Sequence, residues 1–519
     1  MKRLIMFSTL ALLSCSESPR GLSDPSQTNN NDGPPDLAGI MVGGFVPMAP
    51  SIATVAPKTL STAGGGIITV TGGPFYASTQ FFINGQITNV MSVTATQATL
   101  VAPPRLGIGP AKITAVNGSG LSASNDNTMA SSPTAFSFFA AQLNFAQSVY
   151  STLANQPRGI AYGDLNGDKI TDAVITHQNS TSYTIYLGTP NGGMTPLTPT
   201  ATFTTQGTTN NANQTVQLVD INKDGNLDML VPFSNVFHYY LGNGTGLLNA
   251  LNTVSTGTST GAVAVTLAAD INNDTLPDVI ACNTGASNIG LFLNTNQVTN
   301  LYSAGQQANP LTPGGQPTRC QIADIDGDKK TDLVALMSNN NGATLAVYFG
   351  TATAAAPFFT NANPLNYGTN AANQNPQWFE LGDLNNDGKI DAVVSDQATN
   401  SLRVFMGNGT VNATFQAPST PILVGTDPRG LALADFNGDG RLDVAVASNG
   451  TNYINVLLGN GDGTFGVRQD FISLTGPWGV YANDFNRDGR MDIGVVNQFD
   501  AARATTSPGS MTIYLNNSL

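Results

Sequence analysis

The sequence predicts an all-β protein in which a β-sandwich is followed by a seven-bladed β-propeller. A nine-residue motif with Asp at positions 1, 5 and 9 recurs seven times between Asp164 and Asp492, at intervals of 49 to 59 residues. Short runs of apolar and small residues flank each copy, and four such runs in about 50 residues make one propeller blade. About 90 residues before the copies alternate apolar and polar side chains between Gly and Pro turns, which is typical of a sandwich.

The chain begins with MKRLIMFSTLALLSC, in which Lys2 and Arg3 precede an apolar run that ends at Cys15. This run is too short to span a bilayer permanently. It resembles a bacterial lipoprotein signal, which implies cleavage before Cys15 and lipidation of that residue; an ordinary secretory cleavage is the alternative. We therefore assign residues 1–15 to the signal and lipobox. The protein is expected in the cell envelope, at the outer membrane or cell surface, with the lipid at Cys15 as its only membrane contact.

Residues 16–48 are rich in Ser, Asn, Pro and Gly, as in SDPSQTNNNDGPPD, and predict a flexible linker. Residues 49–139 contain GGGIITVTGGPF, followed by VAPP and ITAVNGSG. These motifs resemble the IPT/TIG domain, an immunoglobulin-like β-sandwich. The resemblance implies a spacer or docking unit without chemistry of its own.

The seven copies read DLNGDKITD, DINKDGNLD, DINNDTLPD, DIDGDKKTD, DLNNDGKID, DFNGDGRLD and DFNRDGRMD, and we number them loops 1 to 7. An EF-hand loop uses the same early positions but ends in a bidentate Glu at position 12 between two helices. Position 12 of loop 6 is Val446, and the other copies also carry apolar residues there. Because both flanks are strand-like, each copy is interpreted as the turn of a hairpin.

The acidic residues are concentrated in these loops. Three Asp in each loop, with Asp326 in addition, make 22 of the 33 acidic residues of the chain. Seven bound Ca²⁺ would change the formal charge from −13 to +1. The acidity therefore indicates metal binding rather than an acidic surface. The alternative is that the Asp and Asn side chains only cap the hairpins as Asx-turns, although convergent carboxylates repel one another without a cation.

The propeller is expected to close on itself. The last copy is followed by the strand MTIYLN without a fourth strand, whereas LNFAQSVYSTL at 143–153 is a spare strand before loop 1. Pairing the spare strand with the last blade would remove an open sheet edge. Residues 140–519 are therefore assigned to one ring.

The repeats resemble the FG-GAP/VCBS repeats of the integrin α-subunit head, of some lectins and of many bacterial surface proteins. In that family the loop joins the first two strands of a blade and binds calcium through side chains at positions 1, 3, 5 and 9 and a carbonyl at position 7. The resemblance thus implies up to seven Ca²⁺, one per blade. The implied ligands are Asp164, Asn166, Asp168, Ile170 and Asp172; Asp220, Asn222, Asp224, Asn226 and Asp228; Asp270, Asn272, Asp274, Leu276 and Asp278; Asp324, Asp326, Asp328, Lys330 and Asp332; Asp383, Asn385, Asp387, Lys389 and Asp391; Asp435, Asn437, Asp439, Arg441 and Asp443; and Asp484, Asn486, Asp488, Arg490 and Asp492.

The loops are not expected to bind equally. Position 6 is Gly in loops 2, 5, 6 and 7 but Lys169, Thr275 and Lys329 in the others, and a sharp turn with positive φ favours Gly. We expect tighter binding at the four Gly loops and the weakest at loop 3, which carries Pro277. The remaining cysteines, Cys282 and Cys320, either pair across adjacent blades or stay as buried thiols.

Ligands of FG-GAP propellers commonly bind the face opposite the loops, where each first strand begins. The residues that would gather there are Arg158, Gln214, Thr318, Gln377, Trp378, Arg429 and Trp478. Polar and aromatic groups on a concave surface suit a glycan or an acidic peptide. They differ between blades, which favours one central site; the alternative is that they only fill the channel.

Enzymatic chemistry finds little support in the sequence. The two His residues are His177 and His238, and GTSTG at 257–261 lies in a loop without the strand-to-helix context of a nucleophile elbow. Nucleic acid is disfavoured because 20 Lys and Arg in 519 residues form no basic cluster. The sequence therefore predicts a calcium-binding adhesion or recognition protein with a protein or matrix ligand on a cell surface. A glycan-binding lectin is the alternative, and a propeller-type polysaccharide lyase a more distant one.

Overall fold

In the computed structural model the described residues are 49–61, 66–84, 86–102, 109–117, 122–124, 137–139, 143–177, 183–197, 215–256, 263–297, 301–302, 311, 315–339, 342–351, 357–360, 363–366, 375–411, 414–498 and 508–518. All regular structure in these ranges is β-strand. They contain no helix of the length and apolarity needed to cross a membrane. The predicted signal with Cys15, the linker 16–48 and Gln214 lie outside the described residues.

The sandwich consists of two four-stranded antiparallel sheets and a small third sheet. Its strands are β1 (Ile52–Ala56), β2 (Thr59–Ser61), β3 (Ile67–Gly72), β4 (Gln80–Ile83), β5 (Gln86–Ile87), β6 (Asn89–Val93), β7 (Gln97–Val101), β8 (Gly109–Pro110), β9 (Ile113–Val116), β10 (Ser122–Ser124) and β11 (Ser137–Phe139). The sheet orders are β1-β3-β7-β6, β10-β9-β4-β5 and β2-β11-β8. Alternate residues such as Ile68 and Val70 of β3 and Phe81 and Ile83 of β4 form the core between the two larger sheets.

Seven further sheets form the blades. Blade 1 comprises β13 (Pro157–Gly163), β14 (Asp172–His177), β15 (Tyr183–Gly188) and β16 (Met194–Pro196); blade 2, β17 (Gln217–Val219), β18 (Asp228–Phe233), β19 (Val236–Gly242) and β20 (Leu248–Ser255); blade 3, β21 (Val263–Ala269), β22 (Asp278–Asn283) and β23 (Asn288–Phe292); blade 4, β24 (Gln316–Ala323), β25 (Asp332–Asn339), β26 (Gly342–Tyr348) and β27 (Asn363–Asn366); blade 5, β28 (Pro376–Gly382), β29 (Asp391–Asp396), β30 (Ser401–Phe405) and β31 (Ile422–Leu423); blade 6, β32 (Pro428–Ala434), β33 (Asp443–Ser448), β34 (Tyr453–Leu457) and β35 (Gln469–Ile472); and blade 7, β36 (Pro477–Asn483), β37 (Asp492–Asn497), β38 (Pro508–Asn516) and β12 (Phe145–Asn155).

The first strands of the seven blades make a closed ring. Each first strand contacts the first strands of the two neighbouring blades, and β36 of blade 7 contacts β13 of blade 1. Within the described residues this is a ring of seven antiparallel sheets, and the predicted all-β fold with a sandwich and a propeller is confirmed.

Blade 7 is completed by a strand from the other end of the propeller. β12 pairs antiparallel with β38, with Ala146 opposite Leu515 and Tyr150 opposite Met511. The spare strand predicted at 143–153 therefore closes the ring, and it hydrogen-bonds the edge of β38 that would otherwise be open.

The hydrophobic core of the propeller lies between blades. Both faces of each second strand are covered, so that six successive residues are buried in strands such as β14, β22 and β33. The cluster between blades 6 and 7 combines Ala445 and Val456 with Val480 and Ile493. Burying one aliphatic side chain of this kind stabilises the fold by roughly 1.5–3 kcal/mol, so neighbouring blades hold one another in place.

One covalent bond also crosses between blades. Cys282 of β22 and Cys320 of β24 form a disulfide with a Cα–Cα distance of 6.7 Å, within the range that disulfides span. Of the two alternatives left open by the sequence, the structure therefore selects pairing across blades 3 and 4.

Candidate functional site

Each Asp-rich loop joins the first and second strands of its blade, and its oxygens point into the turn. In all seven loops the position 1 carboxylate accepts the backbone N–H of position 6, at 2.7–2.9 Å. The side-chain oxygen at position 3 accepts the N–H of position 5, as from Asp439 to Asn437 at 3.1 Å. The position 5 carboxylate accepts the N–H of position 7, as from Arg441 to Asp439 at 2.9 Å. The backbone therefore fixes the side chains at positions 1, 3 and 5.

The Asp at position 9 starts the second strand and is buried in every loop. Asp443 is 0% exposed, and its two carboxylate oxygens accept the N–H groups of Phe436 and Gly459 at 2.9 and 2.8 Å. Burial, together with the charges of Asp435 and Asp439, raises the pKa of Asp443 to about 8. A cation placed between these carboxylates would favour their ionised forms instead.

Burial likewise raises the pKa of the position 9 Asp to about 6 in four other loops, at Asp228, Asp278, Asp332 and Asp492.

Loop 4 brings its carboxylates closest together. Oxygens of Asp324, Asp326 and Asp332 all lie within 4.8 Å of one another, and this is the one such acidic group among the residues that the structure describes. Its donor set is entirely oxygen, the type that Ca²⁺ prefers, and contains no sulfur or imidazole. The residues therefore fit calcium.

The residues at position 7 play a second part that the sequence did not predict. Lys330, Lys389, Arg441 and Arg490 form ion pairs with the Asp at position 5 of their loops, at 2.5 to 3.9 Å. The predicted ligand at position 7 is the carbonyl oxygen, so the side chain remains available to balance the charge of the loop from outside.

The backbone at position 6 has a positive φ in all seven loops. It is 81° at Gly440, and 67° at Lys169, 72° at Thr275 and 67° at Lys329. A residue with a side chain is destabilised by about 1–2 kcal/mol in the left-handed region. This supports the expectation that loops 1, 3 and 4 bind calcium more weakly than the others. The relative affinities and the predicted ligand sets themselves stay predictions.

At the opposite end of the first strands, a β-bulge sets the direction of the predicted ligand residues. The pairing between first and second strands shifts register directly after Pro157, Pro317, Pro376 and Pro477, so the next residue is bulged. A bulge re-aims the side chain that it carries. The bulged residues are Arg158, Thr318, Gln377 and Trp478, which sequence reasoning had selected by their position after Pro.

Three of the predicted residues meet around one aromatic ring. The guanidinium carbon of Arg158 lies 4.2 Å from the centroid of Trp478, and that of Arg429 lies 4.5 Å from it. Arg429 also donates to Gln377 at 2.6 Å and forms an ion pair with Asp427 at 2.7 Å. This cluster, which we call the arginine–tryptophan cluster, spans blades 5, 6, 7 and 1.

Glycine lets the strands approach beneath this cluster. A Cβ at Gly430 would lie 2.6 Å from the carbonyl oxygen of Trp478, so no larger residue fits there without movement of the backbone. The predicted residue Thr318 does not join the cluster, because its hydroxyl donates to the carbonyl of Leu336 at 3.2 Å.

Beside the cluster, the first strands surround a partly open cavity of about 250 Å³. Trp378, also predicted as a ligand residue, lines this cavity and is only 6% exposed. Arg319 stacks on Trp378 at 3.6 Å, and the Trp378 indole donates to Glu380 at 2.8 Å. Gln321 donates to the other Glu380 oxygen at 3.0 Å.

Sequence reasoning missed Arg319, Gln321, Glu380 and Tyr481. Arg319 lies one residue beyond the bulge of its first strand, and the other three lie three residues beyond it, so aligning the seven repeats over those two further columns would have found them. Burial lowers the pKa of Arg319 to about 10 and raises that of Tyr481 to about 12. Burial also raises the pKa of Glu380, against the lowering effect of its hydrogen bonds from Trp378 and Gln321.

The two His residues lie in different blades and share no site. His177 is in β14 and its Nε2 contacts the hydroxyl of Thr184, whereas His238 is in β19 and its Nδ1 contacts the hydroxyl of Thr253. Neither lines the cavity.

Several solved structures are similar to this chain at low identity. One is an Agrocybe aegerita lectin that recognises non-reducing terminal N-acetylglucosamine, at 16% identity and a TM-score of 0.46 over 71% of this chain and 87% of that chain. Another is a Lactobacillus plantarum protein, at 13% identity and a TM-score of 0.47 over 77% and 97%. A third is the Pseudomonas aeruginosa periplasmic gluconolactonase, at 13% identity and a TM-score of 0.46 over 71% and 93%.

The family profiles give a more specific result. Residues 50–138 match the IPT/TIG domain, and residues 164–231, 270–335, 383–446 and 435–495 match the FG-GAP-like repeat. No curated protein matched the sequence. The chain therefore contains an IPT/TIG domain followed by FG-GAP-like repeats, and these repeats are blades of its propeller.

Proposed function

We propose that this protein is a surface-anchored, calcium-binding recognition protein that acts in adhesion. Calcium in the loops would stabilise the blades, and the opposite end of the ring would bind a protein or matrix ligand. The observation that carries the proposal is the arginine–tryptophan cluster, which places Trp478 between Arg158 and Arg429 at that end.

Calcium is assigned a structural part. The side chains at positions 1, 3, 5 and 9 of each loop would hold the ion, which would neutralise the convergent carboxylates when bound. The loops follow the ends of the first strands, whereas Arg158 and Trp478 lie where those strands begin. A calcium ion in a loop is thus separated from the cluster by the length of a strand. Its effect on binding would come from a more rigid ring rather than from direct contact with the ligand.

The surface anchor rests on the sequence. The segment ending at Cys15 supports lipidation, and residues 16–48 would tether the folded part to the envelope, with a root-mean-square span on the order of 30 Å. This tether would let the propeller reach a ligand beyond the membrane to which the lipid is attached.

Glycan binding is a second candidate because of the cavity beside the cluster. Trp378 and Tyr481 offer aromatic surface there, and Gln217 and Gln321 offer amides. Pockets with apolar walls and a few polar groups are typical of small-molecule sites.

The test uses the full chain on a mixed array of glycans and matrix proteins, with calcium and with chelator. Selective capture that Trp478→Ala abolishes supports the proposal. Tyr76→Ala, which truncates a partly buried aromatic residue of the sandwich, should leave capture intact. The melting temperature of each protein shows whether it remains folded and whether calcium stabilises it. Capture that survives Trp478→Ala in a folded protein would overturn the assignment of the binding face.

A further inference from the structure

The charged groups of the arginine–tryptophan cluster and of the cavity beside it do not balance one another. Arg158, Arg319 and Arg429 gather there against Asp427 and Glu380, which leaves one net positive charge when all five groups are ionised. Asp427 is already engaged, because it forms the ion pair with Arg429. The charge of Glu380 acts on Arg319, so the unbalanced cation is Arg158.

Arg158 lacks a partner for its charge. Among the described residues no acidic side chain forms an ion pair with Arg158, and its Nε is buried without a hydrogen-bond partner there. The guanidinium of Arg158 lies over the Trp478 ring, and this contact restricts the conformation of the side chain. Burial, together with the charges of Arg429 and Arg319, lowers the pKa of Arg158 to about 10, and a bound anion would relieve this repulsion.

The cavity adds neutral polar groups of its own. Thr266 is 2% exposed, lines the cavity, and its hydroxyl has no hydrogen-bond partner among the described residues. Gln217 and Gln321 line the same space. A buried hydroxyl without a partner costs free energy unless a ligand or water supplies one.

The cluster and the cavity are continuous. Arg319 lines the cavity, and its charge acts on Arg158 in the cluster. On β36, Trp478 belongs to the cluster and Tyr481, three residues further along, lines the cavity. A ligand with one anionic end could thus place that end between Arg158 and Arg319 and its body in the cavity.

We propose that the cluster and the cavity form one subsite for a sugar ring that bears a carboxylate, that is, a uronic acid. Arg158 and Arg319 bind the carboxylate, and Thr266, Gln217 and Gln321 bind ring hydroxyls. The proposal rests on the glycan-binding candidate above and names its ligand class. The ring is either a free uronic acid or the terminal residue of an acidic polysaccharide.

Charge and size favour this ligand. One net positive charge matches the single charge of a carboxylate better than the charge of about −1.5 to −2 on a phosphate monoester. The cavity volume of about 250 Å³ is below the roughly 300–1,000 Å³ of pockets for drug-sized ligands. It suits one ring with several hydroxyls, whereas an acidic peptide would also need room for its main chain.

The experiment measures binding of D-glucuronate and D-glucose to the full chain by titration calorimetry, with calcium present. Glucuronate should bind at least about tenfold more tightly than glucose, because a charge-assisted hydrogen bond is commonly worth that factor. Arg158→Gln should weaken glucuronate binding at least about tenfold, and Thr266→Val should weaken both the acid and any residual glucose binding. Arg468→Gln is the matched control, because Arg468 pairs with Asp470 on the outer strand of blade 6, and it should change nothing.

Two further probes separate the sources of the ligand. An oligosaccharide ending in glucuronate that binds more tightly than the free acid assigns the subsite to a polysaccharide end, and equal affinity assigns it to the free acid. A tetrapeptide of alternating Asp and Ala that binds in preference to both, with dependence on Arg158, would overturn the sugar assignment.

The remaining outcomes distinguish this inference from the function on which it rests. Equal binding of glucose and glucuronate, or an unchanged affinity in folded Arg158→Gln, would overturn the subsite. If the array still captures another ligand in a manner that depends on Trp478, the recognition function stands without it. If Arg158→Gln does not fold, the Thr266→Val variant provides the test. An unchanged affinity of this variant for glucuronate would overturn the proposed contact in the cavity.

Discussion

Removing the disulfide between Cys282 and Cys320 should cost the propeller about 4 kcal/mol. The bond closes a loop of 38 residues between the second strand of blade 3 and the first strand of blade 4. In the chain-entropy treatment, opening a loop of this length restores about 13 cal/mol/K to the unfolded chain, or about 4 kcal/mol at 25 °C. For a ring of this size such a change corresponds to a decrease in melting temperature of about 5 °C.

The measurement is guanidinium unfolding of the wild type and of Cys282→Ala/Cys320→Ala, each with and without reductant. Both sulfur atoms are buried, so their loss also costs packing. The comparison under reductant isolates that packing cost, because neither protein then has the bond. The free energy of unfolding of the oxidised wild type should therefore be larger than that of the reduced wild type and that of the double variant. The reasoning would be refuted by equal stabilities of oxidised and reduced wild type, or by reactive thiols at Cys282 and Cys320 in the denatured, unreduced chain.

Three further predictions concern the loops and a buried imidazole. Calcium should raise the melting temperature less in Asp443→Asn than in Asp462→Asn, an exposed carboxylate of the same blade, and an equal rise measured against chelator would contradict the assignment of Asp443 as a ligand. Thr275→Gly should stabilise the chain by about 1 kcal/mol because φ is 72° there, whereas Gly440→Ala at φ 81° should destabilise it by about 1–2 kcal/mol; urea unfolding with chelator checks both signs. Burial lowers the pKa of His238 from 6.5 to about 4, so the unfolded chain binds a proton that the folded chain excludes between these values, and stability should decrease as pH falls from 6.5 towards 4. His238→Gln, compared with wild type at pH 7 and pH 5 in calcium, should lose less stability over that interval.

The repeats, the Asp-rich loops and the closure of the ring could be predicted from the sequence. Seven Asp-rich turns at near-constant spacing can be recognised because local chemistry dictates them: the position 1 and position 3 oxygens bond backbone amides only a few residues away. The spare strand at 143–153 could be paired with the last blade because an unfilled edge has one partner in a closed ring. Whether Cys282 and Cys320 pair could not be decided from the sequence, because a sequence does not give the separation of their Cα atoms.

The folded ring was needed to show which residues form the arginine–tryptophan cluster and which line the cavity. The residues after Pro could be chosen by position, yet Thr318 turned to Leu336 while Arg158, Arg429 and Trp478 met across three blades. Arg319 was not selected at all, although it lies one residue beyond Thr318. The physical reason is that side-chain direction at the start of each first strand depends on a bulge. Contact depends on the neighbouring blade, which for Arg158 and Trp478 lies at the other end of the propeller sequence. A repeat determines where each strand lies, whereas the convergence of unlike residues from different repeats is a property of the closed ring.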